Sequence, residues 1–228
     1  MKTYIIQHVP FEPPGLLEQL KNFEIIKMYE TFTFPQIEDI DLLIVMGGPM
    51  SVHDSIDWLH QEKIFIQHVI EQNKPVLGIC LGAQLIAEII GGEVMPNPKG
   101  KEVGWWPIYK SSDEAAFDFL PDSLNVLHWH GETFTLPEEV TTFYSSAICK
   151  NQAFLYKHNV IGLQFHMEIT EQNLKALVAA DEGYLDDGEY VQTKEEILSK
   201  VSSEQNAKVL LKLVTHLKSS VKNVKNSL

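Results

Sequence analysis

The sequence predicts an α/β protein with an open, mostly parallel sheet flanked by helices and an antiparallel extension along one edge. Two short apolar runs, Leu42–Met46 and Val76–Ile79, are long enough for strands buried on both faces. Strands that alternate with helices at this spacing indicate parallel pairing with helices on both sides. The 228 residues are 44% hydrophobic, which is enough for one sizeable core. We therefore predict a single domain over residues 1–228, with a C-terminal helical extension from about residue 181.

The first 92 residues follow the alternating pattern in order. Prolines and Gly15 mark the turn after the first strand, and Gly91-Gly92 ends the last helix of this half. The predicted elements are strand Thr3–Val9, helix Leu16–Phe23, strand Glu24–Tyr29, strand Leu42–Met46, helix Trp58–Gln72, strand Val76–Ile79 and helix Ala83–Ile90. Ligands collect at the carboxyl ends of parallel strands, where Gly47-Gly48 and Cys80 both lie.

After Gly92 the pattern changes to short strands separated by turn signals, which indicates antiparallel pairing. These strand candidates are Glu93–Met95, Trp105–Tyr109, Asn125–Trp129, Thr142–Ala147, Ala153–Tyr156 and Val160–Phe165. A helix over Glu171–Asp181 and an acidic loop over 181–188 follow. We expect a long terminal helix over Lys194–Leu217, interrupted near Ser202-Ser203.

The composition narrows the classes of function. There are 18 basic and 31 acidic residues, a net charge of −13, which argues against a surface for nucleic acid or anionic membranes. Two cysteines make no disulfide framework, so we expect a cytoplasmic protein. His53, His60 and His68 have no partners at ligand spacing, and we predict no metal and no cofactor.

Cys80 lies on the predicted turn between strand and helix, with Gly78 and Gly82 two positions to either side. Glycines at these places let neighbouring backbone approach closely, as in the Gly-x-Ser-x-Gly nucleophile elbow. The helix that starts behind Cys80 favours the thiolate, which is the reactive form. A cysteine that only packs in the core is the ordinary alternative.

His166 and Glu168 lie at the end of the last predicted strand. Side chains two apart in a strand share a face, so Glu168 can accept a hydrogen bond from one imidazole nitrogen of His166. The other nitrogen is then free to serve a nucleophile. Together with Cys80 this pattern predicts a Cys-His-Glu triad.

These motifs resemble the signatures of class I glutamine amidotransferases over roughly residues 40–170. The matching segments are Gly47-Gly48-Pro49, Gly78-x-Cys80-x-Gly82-x-Gln84 and Phe165-His166-x-Glu168. The segment Trp129-His130-Gly131-Glu132-Thr133-Phe134 is most similar to stand-alone, GMP-synthase-like members. Met167 stands where many members have proline, and Glu132 where aspartate is common. The resemblance implies a flavodoxin-like fold.

The resemblance also implies a mechanism and a substrate. Cys80 would attack the glutamine side-chain amide, the backbone N–H groups of Gly48 and Leu81 would form the oxyanion hole, and a γ-glutamyl thioester would follow. The substrate would be held by Gln84, His130, Gly131 and Glu132.

Three alternatives remain open from the sequence. The chain has no Ser-Gly-Gly-x-Asp-Ser loop for nucleotide activation, so we expect ammonia to pass to a partner synthase or another acceptor. A γ-glutamyl peptide or conjugate hydrolase would use the same triad. A non-catalytic regulatory binding protein on the same fold is the third alternative, and the intact triad argues against it.

Overall fold

The computed structural model describes residues 2–112, 114 and 117–225. In this range the strands are β1 (Thr3–Gln7), β2 (Phe23–Lys27), β3 (Leu42–Val45), β4 (Val76–Ile79), β5 (Val94–Pro96), β6 (Glu102–Lys110), β7 (Ser123–His130), β8 (Glu132–Phe134), β9 (Thr141–Ser145), β10 (Ala153–Tyr156) and β11 (Val160–Leu163). The helices are α1 (Asp57–Glu71), α2 (Leu81–Ile89), α3 (Glu171–Ala180), α4 (Lys194–Leu198) and α5 (Glu204–Lys225). None of these helices is long and apolar enough to cross a bilayer.

The main sheet has a parallel part and an antiparallel part. Its described strands lie in the order β2-β1-β3-β4-β11-β10-β9-β6-β7. Neighbours from β2 to β11 pair in parallel, and those from β11 to β7 pair antiparallel. This arrangement confirms the predicted fold class, including the antiparallel extension at one edge.

Helices cover both faces of the parallel part. Successive strand residues point to opposite faces, so Ile5 and Ile44 pack on the side of α5 while Ile6 and Val45 pack on the side of α1 and α2. The α5 residues in this core are Val209, Leu210, Leu213, Val214 and Leu217. The terminal helix therefore covers one face of the sheet that carries Cys80. The predicted interruption is confirmed, because α4 ends at Leu198 and α5 begins at Glu204.

One local prediction was wrong, and one short strand was missed. The expected helix Leu16–Phe23 is a 3-10 turn over Gly15–Gln19, and Phe23 already belongs to β2. Asn22 has a positive φ of 59°, which ends any helix there. The segment from Glu132 to Phe134, which no predicted strand covered, is a short strand that pairs with β5 in a separate two-stranded sheet. Three residues are too few to show an alternating pattern.

Candidate active site

Cys80 lies in the strained turn between β4 and α2. Its φ of 50° and ψ of −108° fall outside the regions that L-residues ordinarily adopt, and such a conformation costs on the order of 1–3 kcal/mol. The surrounding backbone holds it: the N–H of Cys80 donates to the Leu163 carbonyl at 2.8 Å, and the N–H of Gly82 donates to the Met46 carbonyl at 3.2 Å. The sulfur is thereby held at the carboxyl ends of the parallel strands.

Gly82 lets α2 start directly against β3. A Cβ added there would overlap the carbonyl oxygen of Val45 and lie 3.0 Å from the Val45 Cβ. We expect Gly82→Ala to lower the free energy of unfolding by about 2 kcal/mol or more, because overpacking a tight core contact costs ~1–3 kcal/mol. Urea denaturation measures the change. Gly183→Ala is the matched control, since nothing lies within 4 Å of its added Cβ; equal losses in both variants would contradict this account.

The structure brings Cys80, His166 and Glu168 into one chain of contacts. The Nδ1 atom of His166 lies 2.6 Å from Glu168 Oε1, and the Cys80 side chain lies near enough to the same imidazole to help raise its pKa. A Cβ added at Gly47 would lie 3.2 Å from His166 Cε1 and 3.4 Å from Cys80 Cβ, so that glycine leaves room for the pair. All three members of the chain are buried.

The environment favours a protonated His166. Burial lowers the pKa of an imidazole, but the charge of Glu168 and the hydrogen bonds to Cys80 and Glu168 outweigh it. The pKa of His166 is therefore raised well above its ordinary value. An imidazolium held beside a sulfur can both stabilise negative charge there and donate a proton.

The Gly47-Gly48 loop lies beside the start of α2. A Cβ added at Gly48 would lie 3.2 Å from Leu81 Cδ2. Because Leu81 is the first residue of α2, its N–H has no partner within the helix. Gly48 thus lies against the Leu81 side chain, and the neighbouring Gly47 lies beside Cys80.

A buried histidine that the sequence analysis missed supports this loop. His8 Nδ1 lies 2.8 Å from the Gly47 carbonyl and His8 Nε2 lies 2.9 Å from Glu62 Oε1. Both partners are acceptors, so both nitrogens donate and the ring is charged. Burial opposes that charge most strongly, but the Glu62 carboxylate and the hydrogen bond to Gly47 together outweigh it, and the pKa of His8 is raised. Its position just after β1, at a strand carboxyl end, could have indicated a role.

A cavity of about 270 Å³ opens at Cys80. Its lining includes the predicted residues Gly48, Gln84, His130, Gly131 and Glu132. Gln84 Nε2 donates to Gln164 Oε1 at 3.1 Å, and Gln164 Nε2 lies 3.7 Å from the Cys80 sulfur. Glu132 Oε1 accepts a hydrogen bond from Ser51 Oγ at 3.1 Å.

His130 differs from the other predicted substrate residues. Its imidazole is buried, and its Nδ1 donates to the backbone carbonyl of Glu132 at 2.9 Å. Its Nε2 lies 3.4 Å from Glu102 Oε2, inside the protein. The His130 ring therefore lies on the interior side of the segment that carries Glu132 and holds the backbone of that segment.

Several further residues line the cavity without having been predicted. They are Glu12, Pro49, Met50, Ser51, Trp129, Asp181 and Tyr184. Glu12 and Ser51 follow parallel strands, so the rule on strand carboxyl ends could have found them; burial raises the pKa of Glu12.

The acidic loop after α3 forms one wall of the cavity. Trp129 Nε1 donates to Asp181 Oδ2 at 2.9 Å, and the Trp129 ring stacks on Tyr184 with centroids 6.3 Å apart. Lys101 Nζ lies 4.3 Å above the Tyr184 ring. Nothing in the local sequence pattern of this loop indicated such contacts.

Comparison with known protein families agrees with the active-site geometry described above. Residues 16–183 match the family model described as glutamine amidotransferase class-I. The chain belongs to the class I glutamine amidotransferases. It is 30% identical over 163 residues to YfeJ, a glutamine amidotransferase-like protein of Salmonella typhimurium, with 68% of each chain covered. The crystal structure of a glutamine amidotransferase from Thermotoga maritima matches with a TM-score of 0.81 and 31% identity over 95% of both chains.

Other relatives carry the name GMP synthase. The chain is 33% identical over 175 residues to a glutamine-hydrolysing GMP synthase subunit of Archaeoglobus fulgidus, covering 74% of this chain and 90% of that protein. It spans only 24% of the GMP synthase of Bacillus pumilus, to which it is 37% identical over 129 residues. The family and these relatives support an enzymatic amidotransferase role and confirm the family predicted from the motifs.

Proposed function

We propose that this amidotransferase hydrolyses the side-chain amide of glutamine to glutamate and ammonia, with Cys80, His166 and Glu168 as its catalytic triad. The chief support is the placement of the three side chains: His166 Nδ1 lies 2.6 Å from Glu168 Oε1, and a Cβ added at Gly47 would lie 3.2 Å from His166 Cε1 and 3.4 Å from Cys80 Cβ. The strained turn that carries Cys80 beside the cavity is the second support.

In the first half-reaction the Cys80 sulfur attacks the carboxamide carbon of glutamine. The N–H groups of Gly48 and Leu81 stabilise the oxyanion that forms. The carbon–nitrogen bond then breaks as the His166 imidazolium gives its proton to the departing nitrogen, which leaves as ammonia. A γ-glutamyl thioester remains on Cys80.

In the second half-reaction water enters after ammonia has left and attacks the thioester carbon. His166, now neutral, takes a proton from the attacking water, and the carbon–sulfur bond breaks to release glutamate and restore Cys80. Glu168 keeps the imidazole in one orientation and stabilises its positive charge. No step uses a cofactor.

The amino-acid end of glutamine would lie against Gln84, Gly131 and Glu132. The Glu132 carboxylate, held by Ser51, suits the α-ammonium group. His130 acts indirectly, by holding the Glu132 backbone. Ammonia would pass to a partner synthase or another acceptor, in line with the relatives named as GMP synthase subunits.

The experiment is to incubate purified protein with glutamine, with asparagine as a control, and with a panel of γ-glutamyl peptides and conjugates. Free glutamate and ammonia are measured for each. We expect both products from glutamine and none from asparagine. Much faster glutamate release from a conjugate than from glutamine would favour the γ-glutamyl hydrolase. No release from any compound would favour a non-catalytic binding protein.

A further inference from the structure

Three buried side chains of kinds that bind metals lie together on β6 and β7, outside the proposed triad. The antiparallel register pairs Glu102 with His130 and Gly104 with His128. Alternate residues of a strand share a face, so His128 and His130 lie on the same side. One donor atom each from Glu102, His128 and His130 falls within 4.8 Å of the others, and all three residues are buried.

Glu102 Oε2 accepts hydrogen bonds from Ser146 Oγ at 2.9 Å and Gln152 Nε2 at 2.7 Å, but its separations from the two imidazoles are longer than hydrogen bonds. Glu102 Oε2 lies 3.5 Å from His128 Nδ1 and 3.4 Å from His130 Nε2. Hydrogen bonds from nitrogen to oxygen are ordinarily about 2.7–3.2 Å. Ligand atoms about 2.0–2.2 Å from a tetrahedral zinc ion lie about 3.3–3.5 Å from one another. Both separations match that tetrahedral edge, and the third, between the two imidazoles, is within 4.8 Å.

The hydrogen bonding of His130 leaves its Nε2 as the atom that can bind an ion. Its Nδ1 lies 2.9 Å from the Glu132 carbonyl, which can only accept, so Nδ1 carries a hydrogen. In the neutral ring Nε2 then has a lone pair facing the Glu102 carboxylate. Unlike His8 Nε2, which lies 2.9 Å from its carboxylate, His130 Nε2 lies 3.4 Å from Glu102 Oε2, so a cation has room to lie between the two atoms. An imidazole that donates to a backbone carbonyl through one nitrogen and binds metal through the other is a common arrangement.

Buried polar atoms without a hydrogen-bond partner belong to the same cluster of side chains. Among the described residues, neither ring nitrogen of His128 makes a hydrogen bond, nor do Glu102 Oε1 and Gln152 Oε1, and all four atoms are buried. Gln152 Nε2 donates to Glu102 Oε2 at 2.7 Å and to Ser146 Oγ at 3.1 Å, and it lies 3.4 Å from His130 Nε2. The two ends of an amide exchange places when the group turns over, which would bring Gln152 Oε1 to the centre as an oxygen ligand.

We propose that Glu102, His128 and His130 bind a zinc ion, with Gln152 or a water molecule as the fourth ligand. Two histidines and a carboxylate form an established ligand set for zinc. The ion has no part in the reaction proposed for Cys80. It fixes His130, and through it the Glu132 backbone at the edge of the cavity, so its role is to hold the substrate-binding segment in place.

Metal content tests the proposal directly. Purified protein is stripped with a chelator, dialysed against micromolar zinc and analysed for zinc per chain. We expect one equivalent in the unmutated protein and at least about tenfold weaker binding in Glu102→Gln and His128→Asn. His60→Asn is the control for adventitious binding, because His60 is an exposed histidine on α1, and it should retain one equivalent.

Because a buried substitution can unfold the chain, two measurements use the unmutated protein. Zinc should raise its melting temperature by several degrees and a chelator should reverse the rise, since a ligand that binds only the folded state stabilises it. Cobalt in place of zinc should give the visible absorption of a tetrahedral nitrogen and oxygen site. A melting temperature indifferent to zinc, with no bound zinc and no cobalt band, would show that a proton rather than a metal joins these groups. These readouts are independent of glutamine hydrolysis.

Discussion

Cys80→Ala and Cys80→Ser should fold normally and release glutamate from glutamine several orders of magnitude more slowly than the unmutated protein. Alanine removes the atom that forms the thioester, and serine replaces it with a hydroxyl that is much harder to ionise. Removal of a nucleophile that works as part of a unit costs nearly the whole of the catalysis. Single-turnover and steady-state glutamate release measure the loss, and thermal unfolding checks that the fold is retained.

Cys149 provides the matched control. It is the other buried cysteine, in the turn between β9 and β10, and burial raises the pKa of its thiol to about 11. Its sulfur lies 3.2 Å from Thr133 Oγ1, away from the triad. We expect Cys149→Ala to retain activity, and a thiol-alkylating glutamine analogue to label every variant that keeps Cys80. Labelling at Cys149 instead would show that the assignment of the nucleophile is wrong.

Glu168→Gln should keep substrate affinity and reduce turnover, by about one to three orders of magnitude. The amide can still contact the imidazole, but it has no charge to stabilise the imidazolium. The corresponding change in a serine-based triad costs about four orders of magnitude. We expect a smaller loss here because a thiolate forms more easily than an alkoxide. Steady-state kinetics with glutamine, beside His166→Ala, give the separate effects on kcat and KM.

The pH dependence of the activity of Glu168→Gln should shift in one direction. Glu168 raises the pKa of His166, so the protonated ring that donates to ammonia persists to higher pH than an ordinary histidine would allow. Activity should fall only as the pH rises through that raised pKa. Without the carboxylate the pKa of His166 falls, and the alkaline limb of the profile should move to lower pH.

Glu12→Gln tests whether Glu12, rather than Glu168, orients the His166 imidazole. The Glu12 side chain lines the cavity and a Cβ added at Gly47 would lie 2.6 Å from its Oε2, but Glu168 is the carboxylate within hydrogen-bond distance of His166 Nδ1. We expect Glu12→Gln to leave the alkaline limb nearer to that of the unmutated protein. If instead Glu168→Gln matched the unmutated protein and Glu12→Gln did not, the orienting role would belong to Glu12.

The parallel half of the sheet and the position of Cys80 could be predicted because both depend on local features. A doubly buried strand shows as an unbroken apolar run, and the run over Val76–Ile79 is a strand with the same bounds. The tight turn after it needs glycine at Gly78 and Gly82, where a Cβ would overlap neighbouring backbone. His166 and Glu168 are two residues apart, so their contact also follows from short-range geometry.

Only the tertiary structure decided which distant residues complete the site. Asp181 and Tyr184 reach the cavity because the loop after α3 packs on Trp129, and His8 supports Gly47 across 39 positions of sequence. The same is true of Glu102 beside His128 and His130, which depends on the register of β6 and β7. Local patterns report the burial and backbone conformation of a segment, whereas these contacts depend on how separate segments pack. The sequence by itself therefore determined the fold class and the triad candidates, and the packing decided the cavity wall, the loop support and the buried cluster.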